Sequence, residues 1–297
     1  VALFELRGIT KAFGAHQVLR GVDLDVHKGE FLTIIGESGC GKSLVLKSLI
    51  GIMTPDAGSL TFDGEEVAKY TDTQWTRLRP RIGMLFQESA LFDSLDVGDN
   101  VAYGLREAGG MSEDDIRARV AECLRLVGLE GVERKWPADL SGGMKKRVAL
   151  ARATALRPEI ILYDEPTEGL DPINVTRVNR MLQSLREEFD ITTVVVTHNM
   201  QSAFNVSTRV AFIHDGRVKL EGTPDALRNS QDPDLEDFLL GLARPGGRPP
   251  RVAGAAAAVG DGSEGLGGLR LSMNTACFKV LGHPRLKPRA ANQARTT

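Results

Sequence analysis

The sequence predicts an α/β fold: a mainly parallel core sheet with helices on both faces, an N-terminal antiparallel β subdomain and an inserted helical subdomain. Three observations carry this. Short apolar runs at residues 31–35, 160–163 and 192–197 alternate with helix-length segments, as strands buried on both faces do. Residues 3–30 instead alternate apolar and polar positions around the turn residues Gly14, Gly21 and Lys28-Gly29, which predicts half-buried antiparallel strands. From Glu88 to about Leu156 the pattern becomes helical.

Taken in order, the first strand is expected over 3–7. The apolar run 31–35 makes a buried strand that turns into Gly36-Glu37-Ser38-Gly39-Cys40-Gly41-Lys42-Ser43, the G-x-x-x-x-G-K-[ST] phosphate loop of the P-loop NTPase class. Its glycines let backbone N–H groups fold around phosphate oxygens where a side chain would collide. Lys42 adds positive charge, the Ser43 hydroxyl can ligate magnesium, and a helix over 42–50 aims its positive end at the anion. Pro55–Gly58 and Asp63-Gly64 bracket a strand over 59–62, and a strand over 81–86 ends at Gln87.

Within the helical stretch, Ser112-Glu113-Asp114-Asp115 opens a helix in the manner of a capping box, with Ile116, Val120, Leu124 and Val127 on one face. Leu140-Ser141-Gly142-Gly143-Met144 precedes a helix over 145–156. The strand 160–164 ends in two acids: Asp164 is placed to hold magnesium through water, and Glu165 to orient or polarise an attacking water. Asp171-Pro172 caps a helix running through Phe189. Strands at 192–197 and 210–214 follow, and Asp215-Gly216 turns the latter into a hairpin with 217–221.

The order of these motifs resembles the ATP-binding-cassette (ABC) family, whose signature is Leu-Ser-Gly-Gly-Gln, over roughly residues 3–242. The resemblance implies ATP and Mg²⁺ as cofactors. It implies that Phe13 stacks on adenine with Val18 at the ring's flank, and that Gly36 through Leu44 bind the phosphates. Gln87 matches the Q-loop glutamine that meets magnesium and senses a partner domain. Asp171, in Gly169-Leu170-Asp171, matches the D-loop that crosses a dimer interface, and His198 matches the switch histidine. Ser141, Gly142, Gly143 and Met144 would act in trans, on a nucleotide held by a second copy of the chain. Two residues depart from the pattern: Met144 replaces the signature glutamine, and Leu44 stands where threonine is usual. Neither touches Lys42, Asp164, Glu165 or His198, so a working ATPase is expected.

Within the family, residues 84–95 and 100–107, Met144 and the closing 232–241 resemble the Mla/Mce lipid-transport ATPases. That subgroup implies transport of a phospholipid or other hydrophobic cargo between bacterial membranes. The partners it implies are an MlaE-like membrane permease, a lipid-binding MCE-type shuttle and, in some systems, a STAS-domain subunit. It implies a peripheral position on the cytoplasmic face of the inner membrane. An ATPase of another solute transporter, such as an amino-acid importer, is the rival reading.

Composition bounds the rest. The three cysteines, Cys40, Cys123 and Cys277, show neither C-x-x-C nor zinc spacing, which points to a reducing cytosol. Cys40, beside a helix N-terminus, is expected to be a reactive thiol. No apolar stretch approaches the ~20 residues of a membrane-spanning helix, and no cleavable leader pattern opens the chain. The net charge of −2 argues against nucleic acid as a partner. A DNA- or ribosome-acting cassette is further disfavoured by the absence of coiled-coil heptads between Lys42 and Ser141. The expected organisation is a cassette over 1–242, with its helical subdomain at about 88–156, and a Gly/Ala/Pro-rich basic tail over 243–297, read as disordered.

Overall fold

Residues 1–242 are described in the computed structural model of the chain, so the tail predicted for 243–297 lies outside the described residues. Its strands, in chain order, are β1 (Ala2–Phe13), β2 (His16–His27), β3 (Phe31–Gly36), β4 (Ala57–Phe62), β5 (Glu65–Glu66), β6 (Ile82–Leu85), β7 (Ile160–Asp164), β8 (Thr192–Val196), β9 (Arg209–His214) and β10 (Arg217–Gly222). The helices are α1 (Lys42–Leu49), α2 (Asp72–Leu78), α3 (Val97–Ala108), α4 (Glu113–Leu126), α5 (Gly142–Thr154), α6 (Pro172–Phe189), α7 (Met200–Val206), α8 (Pro224–Arg228) and α9 (Pro233–Leu240).

The strands form an antiparallel sheet in the order β2-β1-β4-β5 and a second sheet in the order β10-β9-β3-β8-β7-β6. From β9 to β6 the second sheet is parallel, and β10 closes its edge as an antiparallel hairpin with β9. Because side chains alternate along a strand, these parallel strands pack on both faces, and Ile35, Val210 and Phe212 of β3 and β9 form a further cluster with Ala203, Leu227 and Leu235. Leu32, Ile34, Ile160, Leu162, Val194 and Val196 pack with Phe4, Leu60 and Phe62 of the antiparallel sheet and with Leu46 of α1. Phe31, Ile161, Tyr163 and Val195 pack on the other side, with Val101, Leu124, Val148 and Leu182 of α3 to α6. Each such side chain contributes about 1.5–3 kcal/mol when fully buried. The consequence for function is placement: the C-terminal ends of β3, β7 and β8 lie side by side, and each delivers a loop to the same edge.

Several elements differ from expectation. The first strand extends to Phe13, well beyond residue 7. Gly21 lies inside β2 and makes no turn; at φ +102° it occupies the point where the pairing slips from Ile9–Val22 to Thr10–Arg20. That is a bulge, which twists the strand without ending it. Helix α2 was not anticipated, although Thr71 and Gln74 form a reciprocal capping box and Trp75 is buried against the first core. The predicted helical stretch resolves into α3, α4 and α5, with residues 86–96 irregular. Helix α5 starts at Gly142 instead of 145, because the Ser141 hydroxyl caps it by accepting from the Met144 N–H at 3.3 Å.

Candidate functional site

The phosphate loop is shaped by glycines in a backbone conformation that residues with side chains rarely adopt. Gly36, Gly39 and Gly41 have φ of +152°, +82° and +103°. A Cβ on Gly36 would fall 2.3 Å from the Ile213 carbonyl oxygen, and one on Gly41 would fall 2.4 Å from Leu19 Cδ2. The loop thus wraps tightly between β2 and β9 and then enters α1, whose first turn closes with the Val45 N–H donating to the Gly41 carbonyl at 3.1 Å. Lys42 is buried, and its ammonium donates to the carbonyls of Gly36 (2.9 Å) and Glu37 (2.8 Å). No carboxylate pairs with it among the described residues. A buried positive charge inside a cradle of backbone donors, at a helix N-terminus, fits a polyphosphate.

The Ser43 hydroxyl donates to Asp164 Oδ1 at 2.8 Å, joining α1 to the end of β7. Burial pushes the Asp164 carboxyl upward, and this is opposed by the Ser43 bond and by the charges of Lys47 and Lys42. A buried carboxylate beside a hydroxyl, short of positive charge, fits a magnesium ion. Glu165 follows in the left-handed region at φ +48°. Its Oε2 accepts from the His198 backbone N–H at 3.2 Å, and its Oε1 lies 3.0 Å from His198 Nδ1. The β7 and β8 ends therefore hold a carboxylate and an imidazole together beside the Ser43–Asp164 pair.

Other predicted residues fall in three groups. Phe13 ends β1 at 55 % exposure, which excludes it from the core, and the Lys11 ammonium lies over its ring at 5.8 Å from the centroid. Val18 lines a cleft of about 160 Å³ with His16, Ser38, Gly39, Cys40 and the β9–β10 turn. The Gln87 amide donates to the Glu168 side chain, and it is not drawn into the Ser43–Asp164 pair. Asp171 caps α6, accepting from the Ile173 and Asn174 N–H groups at 3.0 Å each, and these bonds hold its carboxyl below the usual range. Among the described residues, no hydrogen bond links residues 141–144 to residues 36–43.

Three residues behave otherwise than their types suggest. Leu44 packs against the first core and Met144 against the second, so both departures from the usual motifs turn inward. Burial pushes the Cys40 thiol up, outweighing Lys42, which is the opposite of the activation expected at a helix start. Two residues of the site went unpredicted, Lys146 and Glu168. The buried Lys146 ammonium donates to the carbonyls of Glu165 (3.2 Å) and Glu168 (2.5 Å). A lysine in an amphipathic helix gives no sequence signal for such a contact.

Comparison with known proteins agrees with this geometry. The family model described as ABC transporter matches residues 19–168. A probable ribonucleotide transport ATP-binding protein, mkl, of Mycobacterium leprae is 40% identical over 237 residues, covering 80% of this chain and 68% of that one. The intermembrane phospholipid transport system ATP-binding protein MlaF of Haemophilus influenzae is 37% identical over 239 residues, covering 80% of this chain and 90% of that one. Among solved structures, the ATP-binding cassette MJ0796, dimeric in a post-hydrolysis state with ADP and Pi, superposes with a TM-score of 0.69 at 34% identity. It covers 74% of this chain and 98% of that one.

Proposed function

Since this chain belongs to the ABC transporter family and is an ATP-hydrolysing, Mg²⁺-dependent cassette of it, we propose that it powers the movement of phospholipid or a related hydrophobic cargo between membranes. Cassettes of the family work in pairs with membrane permeases. No helix among the described residues is long and apolar enough to cross a membrane, and a partner permease is the proposed path for cargo. The observation that carries the lipid reading is Met144 at the end of the signature. It stands with residues 84–95 and 100–107, the run around Gln87 and α3, and a phospholipid transport ATPase matches over 90% of its own length. The cassette is inferred to occupy 1–242, with a permease of the MlaE type, an MCE-type lipid shuttle, and a STAS-domain subunit as a further candidate. Its place is the cytoplasmic face of the inner membrane.

The site residues divide the chemistry. The backbone of 36–43, Lys42 and Leu44 N–H hold the phosphates, and Phe13 and Val18 hold the base. Ser43 and Asp164 would hold magnesium, with Gln87 as a further ligand, and the ion would supply positive charge against the phosphate oxygens. Glu165 takes the proton of the attacking water, and His198, fixed against it, contacts the terminal phosphate. Ser141 and Gly143 of a second copy complete the pocket, and Asp171 lies on the shared face.

The test is recovery of the full chain from native membranes, with mass spectrometry of what accompanies it. Glycerophospholipid and a polytopic permease in excess over a mock purification are expected. A ribonucleotide transport system, as named for mkl, would instead yield ATPase activity stimulated by a ribonucleotide other than ATP and no lipid enrichment, and that result would overturn the lipid reading.

A further inference from the structure

Helix α5 carries two buried cations that the chemistry proposed above does not use. Lys146, near its start, is 8% exposed, and its ammonium donates to the carbonyls of Glu165 and Glu168, both in the turn that follows β7. Arg152, two turns on and also 8% exposed, donates to the carbonyls of Ala90 (2.8 Å) and Ser89 (3.0 Å), in the turn that follows Gln87. Both turns contain left-handed backbone at residues with side chains: Glu165 at φ +48°, Ser89 at +64° and Ala90 at +44°. Such conformations persist only where the surroundings hold them. The two turns are themselves joined, because Gln87 donates to the Glu168 side chain. The bonds close a ring: from α5 through Lys146 to the turn of Glu165, through Glu168 to Gln87, and through Arg152 back to α5.

A lysine is a costly choice for a buried packing position. Desolvation presses its proton off, and here Glu168 and Glu165 oppose that only in part. What the ammonium gains is a grip on two carbonyls of one turn, and the first of these belongs to the residue whose carboxylate meets His198.

We propose that Lys146 is a positioning residue for hydrolysis: it pegs the turn that aims Glu165 to the helix that opens with Ser141 and Gly143. In the proposed dimer the start of that helix would face the nucleotide held by the opposite cassette, so engagement there and alignment of the chain's own base would become one movement. Arg152 ties the same helix to the Gln87 turn. This inference rests on the assignment of Glu165 as the base.

The test uses the full chain and three variants, Lys146→Met, Lys146→Arg and Glu165→Gln, with MgATP kinetics, melting temperature and amide hydrogen exchange. Misplacing a catalytic group by an ångström costs on the order of 10²-fold, so Lys146→Met is expected to lower kcat by about 10- to 100-fold while KM stays within about twofold. Lys146→Arg, which keeps a cationic donor, restores most of the rate. In the nucleotide-free chain, the Glu168 and Leu170 amides, which close the turn on the carbonyls of Glu165 and Thr167, exchange faster in Lys146→Met while the amides of β7 do not. A kcat within about twofold of wild type in Lys146→Met, or a loss of rate matched by a rise in KM, overturns the proposal. So does an equal loss in Lys146→Met and Lys146→Arg at unchanged melting temperature. Should Lys146→Met fail to fold, Lys146→Gln is measured on the same scale and judged by the same limits. A Glu165→Gln chain that turns over normally refutes the assignment of the base, while the exchange data still judge the peg.

Discussion

Glu165→Gln isolates the proton-accepting step proposed for this residue from everything else it does. Glutamine has the same length, and its carbonyl oxygen can still accept from the His198 N–H that now donates to Oε2 at 3.2 Å. The backbone at φ +48° asks no more of glutamine than of glutamate. The lost element is a group able to take a proton, which is worth about 10²–10⁴ in rate. At 1.36 kcal/mol per tenfold, the barrier rises by about 2.7–5.4 kcal/mol. Binding should move the other way. The Glu165 charge is one of the influences holding the neighbouring Asp164 carboxyl up, so removing it favours the ionised Asp164 that magnesium requires. Phosphate release at saturating MgATP should therefore fall by at least about 10²-fold, with ATP affinity kept or improved. Light scattering should show an ATP-dependent dimer that persists. A variant that hydrolyses ATP within about threefold of wild type, or that binds it about tenfold more weakly, would refute this division of labour.

Three further outcomes follow from the same site. Asp164→Asn should abolish hydrolysis yet raise the melting temperature of the nucleotide-free chain. A carboxyl whose pKa is raised by folding contributes stability below its unfolded pKa and loses it as pH rises through the folded one, so the gain should be larger at about pH 8 than at about pH 5. Gly41→Ala places a Cβ 2.4 Å from Leu19 Cδ2 at φ +103°, and should cost at least about 1–3 kcal/mol in strain alone, read as a lower melting temperature and lost ATP binding. Cys40 should react with maleimide more slowly than a free thiol at neutral pH, with labelling read by peptide mass spectrometry, because burial holds its thiol protonated; rapid labelling at pH 7 would contradict the packing seen here.

Legibility in the sequence followed how local each determinant is. The parallel strands could be read because both their faces are buried, so apolar runs such as 31–35 carry the signal without a partner in view. The phosphate loop could be read because it is built from consecutive residues, and Asp164-Glu165 because an apolar run ends in them; strand order then brings the ends of β7 and β3 to one edge through β8. Gly21 was misjudged, since a bulge and a turn ask the same positive φ of glycine and differ only in what pairs beyond it. Met144 and Leu44 looked like lost polar contacts, yet whether a side chain faces a nucleotide or a core depends on how its helix is rolled, which no local pattern states. Lys146 lay furthest from view: its acceptors are backbone carbonyls, 19 and 22 residues away along the chain. Backbone acceptors have no residue identity, so the sequence around them carries no matching partner to notice. The residues that join the signature helix to its own site are thus of the kind that only a folded chain reveals. The ones proposed to hold phosphate are spelled out in one eight-residue stretch, Gly36 to Ser43.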